Sequence, residues 1–148
     1  MSRVTVTTRI ERPPAAVFDF MTDPAFTSEW APKAEYADTQ GNGPTRRGVE
    51  VRHIAGLRVG LRWHATAYQP PSRLGYLYRW GPLTVDVLYT LVASGAATLV
   101  TVDADVQLAG PLAVLAPAVA FQIRRDDTAS FARLKRAIEA LGPNVGLV

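Results

Sequence analysis

The sequence predicts an α+β domain in which a curved antiparallel sheet wraps around one long C-terminal helix. Three observations predict it. Apolar residues recur at every second position in several separated stretches, which is the period of a half-buried strand. Breaks rich in Gly and Pro divide those stretches at short intervals, as in an antiparallel meander. A stripe at spacings of three and four, several turns long, appears only near the end of the chain.

The elements follow in order. Val4, Val6, Thr8 and Ile10 share one face of a first strand, which Arg12-Pro13-Pro14 ends. Proline near a helix start costs no hydrogen bond, and Val17, Phe20 and Met21 follow at helical spacing. Thr22-Asp23-Pro24 starts a second short helix, with Asp23 as N-cap and Phe26 and Trp30 four residues apart; Ala31-Pro32 stops it. From Lys33 to Leu108 only strands and turns are expected. Gly41-Asn42-Gly43-Pro44 is a loop, after which Val49, Val51 and His53 form one strand face. Leu61, Trp63, Ala65 and Ala67 form the next, up to Pro70-Pro71. Leu74, Tyr76, Tyr78 and Trp80 follow, then Gly81-Pro82, then Val85, Val87, Tyr89 and Leu91. Val100, Val102, Ala104, Val106 and Leu108 close the sheet.

A helix is expected from about Pro111 to Leu141, kinked or split at Pro117, which removes a hydrogen bond and crowds the preceding turn. Beyond that point Ala120, Ile123, Asp127, Phe131, Leu134, Ile138 and Leu141 make the stripe, and Gly142-Pro143 closes it. One helix cannot fill a wide concave sheet. Small inward residues (Ala65, Ala67, Ala104, Ala116 and Ala120) leave further room, so the expectation is an internal, mostly apolar cavity.

Composition narrows the function classes. The 148 residues fall in the commonest size range for one domain, and no linker argues for a second, so residues 1–148 are taken as a single ligand-binding domain. Apolar residues make up 48% and charged residues 20%, an ordinary globular balance. The net charge of +3 is modest, and the late basic cluster (Arg124, Arg125, Arg133, Lys135, Arg136) is interrupted by Asp126, Asp127 and Glu139. That pattern fits a solvated helix side rather than a nucleic-acid stripe, so no nucleic-acid partner is expected. Absence of cysteine removes disulfides, thiolate nucleophiles and Cys-rich zinc sites. The longest apolar stretch, Leu108 to Phe121, is broken by Gly110, Pro111 and Pro117 and falls short of the roughly 20 residues that a membrane span needs. With no signal-peptide core at the N-terminus, a soluble, cytoplasmic protein is expected.

Three separated segments resemble one superfamily. Ile10-Glu11-Arg12-Pro13-Pro14-Ala15-Ala16-Val17-Phe18-Asp19-Phe20, with Thr22-Asp23-Pro24 and Trp30, is similar to the opening of SRPBCC (START-like) proteins. Gly110-Pro111-Leu112, Arg124-Arg125-Asp126 and Phe131-Ala132-Arg133-Leu134-Lys135-Arg136 resemble the close of its bacterial polyketide cyclase/dehydrase branch, as does Pro70-Pro71-Ser72-Arg73-Leu74 between them. The resemblance implies the helix-grip fold: seven antiparallel strands around a long helix, two short helices after strand 1, and a ligand cavity between sheet and helix. Relatives include cyclases, lipid and sterol carriers, and hormone receptors. The matching segments are caps, turns and helix packing, so no active-site residue transfers.

Candidate chemistry therefore rests on the residues themselves. His53, placed inward by alternation, is a candidate general base, or simply a hydrogen-bonded core or rim histidine. His64 faces out, and with two histidines and no cysteine no metal is expected. Tyr76, Tyr78 and Tyr89 offer phenols to a ligand or, equally, pack a sheet. Asp127 stands where the stripe calls for an apolar residue. If inward, burial raises its pKa unless Arg124 or Arg79 compensates; if not, it marks the exposed helix margin. Trp30 and Trp63 are candidate ligand contacts or core anchors, and Phe121 and Ile123 are candidate contacts from the helix. Asp103 and Asp105 belong to a solvated strand face.

Two functions compete: binding of a hydrophobic small molecule (polyketide-like, lipid or isoprenoid), or a cofactor-free cyclase or dehydratase using His53, Tyr89 and Asp127. No cofactor is expected for either. A protein-interaction module would need an apolar outer sheet face, against which Arg62, Arg79, Asp103 and Asp105 speak.

Overall fold

The computed structural model describes residues 2–31 and 35–141. Seven strands form one antiparallel sheet in the order β1-β7-β6-β5-β4-β3-β2. They are β1 (Ser2–Ile10), β2 (Glu35–Gln40), β3 (Arg47–Ile54), β4 (Leu57–Gln69), β5 (Arg73–Trp80), β6 (Leu83–Ser94) and β7 (Ala97–Leu108). After β1 come the short helices α1 (Pro14–Thr22) and α2 (Thr27–Trp30), joined by a 3-10 turn that Asp23 caps through Ala25 N (2.9 Å). The curved sheet grips α3 (Ala116–Ala140) in the helix-grip arrangement.

Pro117 does split the C-terminal element. Gly110–Leu115 is a 3-10 segment, and the α-helix starts at Ala116, so Pro117 occupies the first turn, where its missing N–H costs nothing. Ala120, Ile123, Asp127, Phe131, Leu134 and Ile138 are all buried along α3. Leu141, expected on the same stripe, is exposed at the helix end, and Gly142-Pro143 lies outside the described residues, as do Pro32 and Lys33.

Two local features shape the sheet. On β4, Ala65 pairs with Tyr76 and Ala67 with Gly75, so Thr66 is an extra residue, a bulge that bends the strand. A Cβ on Gly75 would stand 2.8 Å from Thr66 Oγ1, which is why the pairing partner of this bulge is glycine. Between β3 and β4 the turn has two residues, Ala55 and Gly56, both at positive φ (53° and 82°), the geometry of a tight hairpin. That turn pairs Arg52 with Val59, Glu50 with Leu61 and Gly48 with Trp63. Residues directly opposite in a hairpin share a face. Glu50 and Arg52 therefore face the helix side with Leu61 and Trp63, while Val49, Val51 and His53 face the other way. This reverses the face expected for β3.

Candidate ligand-binding site

Between sheet and α3 lies a cavity of about 680 Å³. Its walls are aromatic at Trp30, Trp63, Tyr76, Tyr78 and Tyr89, and aliphatic at Met21, Ile54, Leu61, Val85, Val87 and Ile123. Strands β4, β5 and β6 supply most of these side chains by alternation. The rings pack edge-on rather than stacked: Trp63 against Tyr76 (5.5 Å, 88°) and Trp30 against Tyr89 (6.1 Å, 78°). Pro24 and Ser28 near the short helices, and Tyr36 and Thr39 on β2, border the cavity and are exposed, which places its rim there. The indole N–H groups of Trp30 and Trp63 are buried in the wall without a hydrogen-bond partner.

A charged cluster is built into one wall. Arg52 Nη2 donates to Asp126 Oδ2 at 2.7 Å, and its Nη1 lies 3.6 Å from Glu50 Oε2, an ion pair too long to be a hydrogen bond. Glu50 is 3% exposed, and burial raises its pKa against the pull of Arg52 and of the Tyr36 hydroxyl that hydrogen-bonds it. Tyr36, whose side chain is part-exposed at the rim, has its pKa raised in turn by burial of its hydroxyl end and then by Glu50.

Asp127 borders the same cavity and is 8% exposed. Its carboxyl makes no hydrogen bond or ion pair to a described residue. Burial raises its pKa from the ordinary 3.8 to about 7, opposed by Arg52 and helped by Asp126 and Glu50. The compensating cation is thus Arg52, not Arg124 or Arg79, both of which are exposed. Tyr89 is pushed well up by burial and next by the charge of Asp127; Tyr78 rises by burial and then by Glu50. The hydroxyls of Tyr76, Tyr78 and Tyr89 have no protein partner among the described residues. Tyrosines that remain phenols beside a carboxyl titrating near neutrality can donate to, accept from or exchange a proton with a guest.

The structure thus brings Trp30, Trp63, Tyr76, Tyr78, Tyr89, Ile123 and Asp127 to one cavity. Two candidates lie elsewhere. His53 is exposed on the outer side of β3, because the two-residue turn sets the opposite register. Phe121 is 69% exposed, because two residues before Ile123 on an α-helix is the far side. The small residues Ala65, Ala67, Ala104, Ala116 and Ala120 do not line the space either; it is bounded by large rings. Glu50, Arg52 and Tyr36 are site residues that alternation of valines concealed. The signal for them was Ala55-Gly56: taken as a two-residue turn, it puts Glu50 and Arg52 opposite Leu61 and Val59.

The same hairpin is fastened to α3. Gln122 Nε2 donates to His53 O (2.7 Å), and Ala55 N donates to Gln122 Oε1 (3.0 Å). With Arg52–Asp126 one turn on, three hydrogen bonds tie the hairpin tip to the start of the helix. No group of three His, Cys, Asp or Glu among the described residues has metal-site geometry, and no helix among them is long and apolar enough to cross a membrane.

Comparison with known proteins agrees with this architecture. The family model described as polyketide cyclase/dehydrase and lipid transport matches residues 1–139. A Thermus thermophilus protein superposes with TM-score 0.79 at 16% identity, over 95% of this chain and 99% of that one. A START superfamily protein of Mycobacterium smegmatis gives 0.73 at 17%, over 95% and 99%. A protein of the dynemicin biosynthetic locus gives 0.66 at 21%, over 98% of this chain and 50% of that one. At these identities the likeness shows the fold. No curated protein shows significant similarity to the chain.

Proposed function

Because the chain belongs to the polyketide cyclase/dehydrase and lipid transport family, we propose that it binds a hydrophobic small molecule, polyketide-like, lipid or isoprenoid, inside the cavity between sheet and α3. The observation that carries this reading is the cavity itself: about 680 Å³, walled mainly by aromatic and aliphatic side chains with a few charged groups among them, the size and character of a small-molecule site. Residues 1–148 act as one binding unit in this reading. A cytoplasmic setting, consistent with a chain free of cysteine, completes it. Native mass spectrometry of the purified protein, followed by titration of the stripped protein with a panel of apolar ligands, tests it. A co-purifying apolar mass or saturable binding supports it; a protein that arrives empty and binds nothing in the panel sinks it.

A second reading is favoured by one observation, the carboxyl of Asp127 raised to about 7 inside an apolar cavity beside Tyr89. A group poised there suits acid–base work in a cofactor-free cyclisation or dehydration. His53 has no part in it. Asp127→Asn and Tyr89→Phe separate the two readings: product formation lost with ligand affinity retained marks an enzyme, and affinity lost in step with turnover marks a carrier.

A further inference from the structure

One stretch of surface is apolar without interruption. Ala109-Gly110-Pro111-Leu112-Ala113-Val114-Leu115 are all exposed, and none of them carries a polar side chain. They are the 3-10 segment before α3 together with the residue that precedes it. Runs of exposed apolar residues longer than about three or four are not left in water without a use. Val114 is 81% exposed, and Phe121, early in α3, is as bare as noted above.

Backbone contacts gather further apolar side chains around this run. Ala109 N donates to Pro82 O (3.0 Å), which sets the segment against the β5–β6 turn and its exposed Trp80. Gln122, next to Phe121, holds the β3–β4 tip, where Leu57 is exposed. β3, β5 and β7 run in the same direction, so both tips and the 3-10 segment stand at one end of the sheet. By alternation Leu57 shares a face of β4 with buried Val59 and Leu61, and Trp80 shares a face of β5 with Tyr76 and Tyr78. Leu57, Trp80, Leu112, Val114, Leu115 and Phe121 are six of the ten large hydrophobic side chains exposed among the described residues. Of the other four, Tyr36 is at the cavity rim, Val92 pairs with Leu99 toward the opposite end of the sheet, and Leu141 ends α3.

Charge around this end has one sign. Residues 51–85 and 106–125, which supply it, contain no Asp or Glu. Arg58 follows Leu57, Arg79 precedes Trp80, and Arg124 and Arg125 come one turn after Phe121, all four exposed. The first carboxylate on α3, Asp126, is engaged by Arg52. A second copy pressed on the same face would bring these cations together, which a symmetric interface penalises. An apolar cap ringed by arginines instead matches the boundary of a bilayer with anionic headgroups. There the aliphatic and aromatic side chains enter the acyl margin, while the guanidiniums stay with the phosphates.

We propose that this end of the molecule docks reversibly on an anionic membrane surface, with Val114 and Phe121 as its deepest contacts. None of the six apolar residues borders the cavity, so the proposal stands apart from the ligand reading.

Co-sedimentation of the full chain with vesicles tests it, one set of phosphatidylcholine alone and one with about 30% phosphatidylglycerol, at about 0.1 M salt. The parent is expected to bind the anionic vesicles about tenfold or more tightly than the neutral ones. Val114→Ser with Phe121→Ser is expected to weaken that binding about tenfold or more, whereas Phe121→Leu stays within about threefold. Arg124→Gln with Arg125→Gln is expected to weaken it about tenfold on anionic vesicles and to leave neutral ones unaffected. All four positions are exposed, so urea denaturation of each variant should match the parent. No binding to the anionic vesicles, equal binding to both kinds, or binding that survives the serine pair overturns the proposal. So does a parent dimer, seen by sedimentation equilibrium without vesicles, that the serine pair dissolves, because the face then belongs to a second copy.

Discussion

Replacing Asp127 by asparagine isolates the energetic consequence of a carboxyl kept in an apolar wall. Its folded-state pKa, about 7, lies above the ordinary 3.8, so between those values the folded protein holds a proton that the unfolded chain has released. The contribution of this group to stability is then greatest below pH 4, falls as pH rises through the window from about 4 to about 7, and is flat above it. At about 1.4 kcal/mol for each tenfold shift in the protonation equilibrium, the ionised group costs on the order of 4 kcal/mol at pH 8. Asparagine has nearly the same shape and does not titrate. The stability gap between variant and parent should therefore widen by about 3–4 kcal/mol from pH 4 to pH 8, in favour of the variant. Urea denaturation at pH 4, 6 and 8 measures it, with the slope of free energy against urea confirming that both proteins unfold alike. A gap that stays constant with pH would show the carboxyl unshifted by folding, and a parent that gains on the variant as pH rises would show it stabilised by Arg52; either overturns this account.

Arg52→Met leaves Asp126 and buried Glu50 without their cation; a loss of about 3 kcal/mol at pH 8 is expected, shrinking in acid as Glu50 is protonated, by denaturation at both pH values. Leu134→Ala, at a fully buried α3 position, should cost about 2–5 kcal/mol in the same assay, and a value near zero would contradict the packing of the helix in the sheet. Gly75→Ala forces a Cβ onto Thr66 and Ala67 at the bulge and should lower stability by about 1–3 kcal/mol, with Thr66→Ala in the same chain recovering part of it. For ligand affinity measured by calorimetry, Trp63→Ala should weaken an apolar ligand at least tenfold, whereas His53→Ala and Phe121→Ala should stay within about twofold; a large effect at either exposed residue would move the site.

Most of the architecture was legible because strand alternation and the α3 stripe follow from burying one face of each element. Pro117 was legible for the same kind of reason, since its ring dictates where a helix can begin. The errors cluster on β3. There the valines lie outward and a glutamate and an arginine lie inward, so hydrophobicity indicated the wrong face. The cost of burying Glu50 is offset by Arg52 and Tyr36, partners that come from pairing and tertiary contact rather than from local sequence. Turn geometry carried the missing information: the positive φ values of Ala55 and Gly56 fix a register that hydrophobicity contradicted. Asp127 is the converse case. Its place in an apolar stripe was visible from spacing alone, while its lack of a partner depends on Arg52 turning to Asp126 instead.

The fastening of the hairpin tip to α3 by Gln122, with Arg52–Asp126 beside it, closes one route into the cavity. At that end sheet and helix cannot part without breaking all three bonds together, so the vessel is sewn shut there. A guest that enters over the exposed lip of Pro24, Ser28, Tyr36 and Thr39 leaves those three bonds intact. Hydrogen exchange should register the asymmetry: the Ala55 amide, though near the surface, exchanges slowly, and loading the protein alters protection at the lip rather than at the seam.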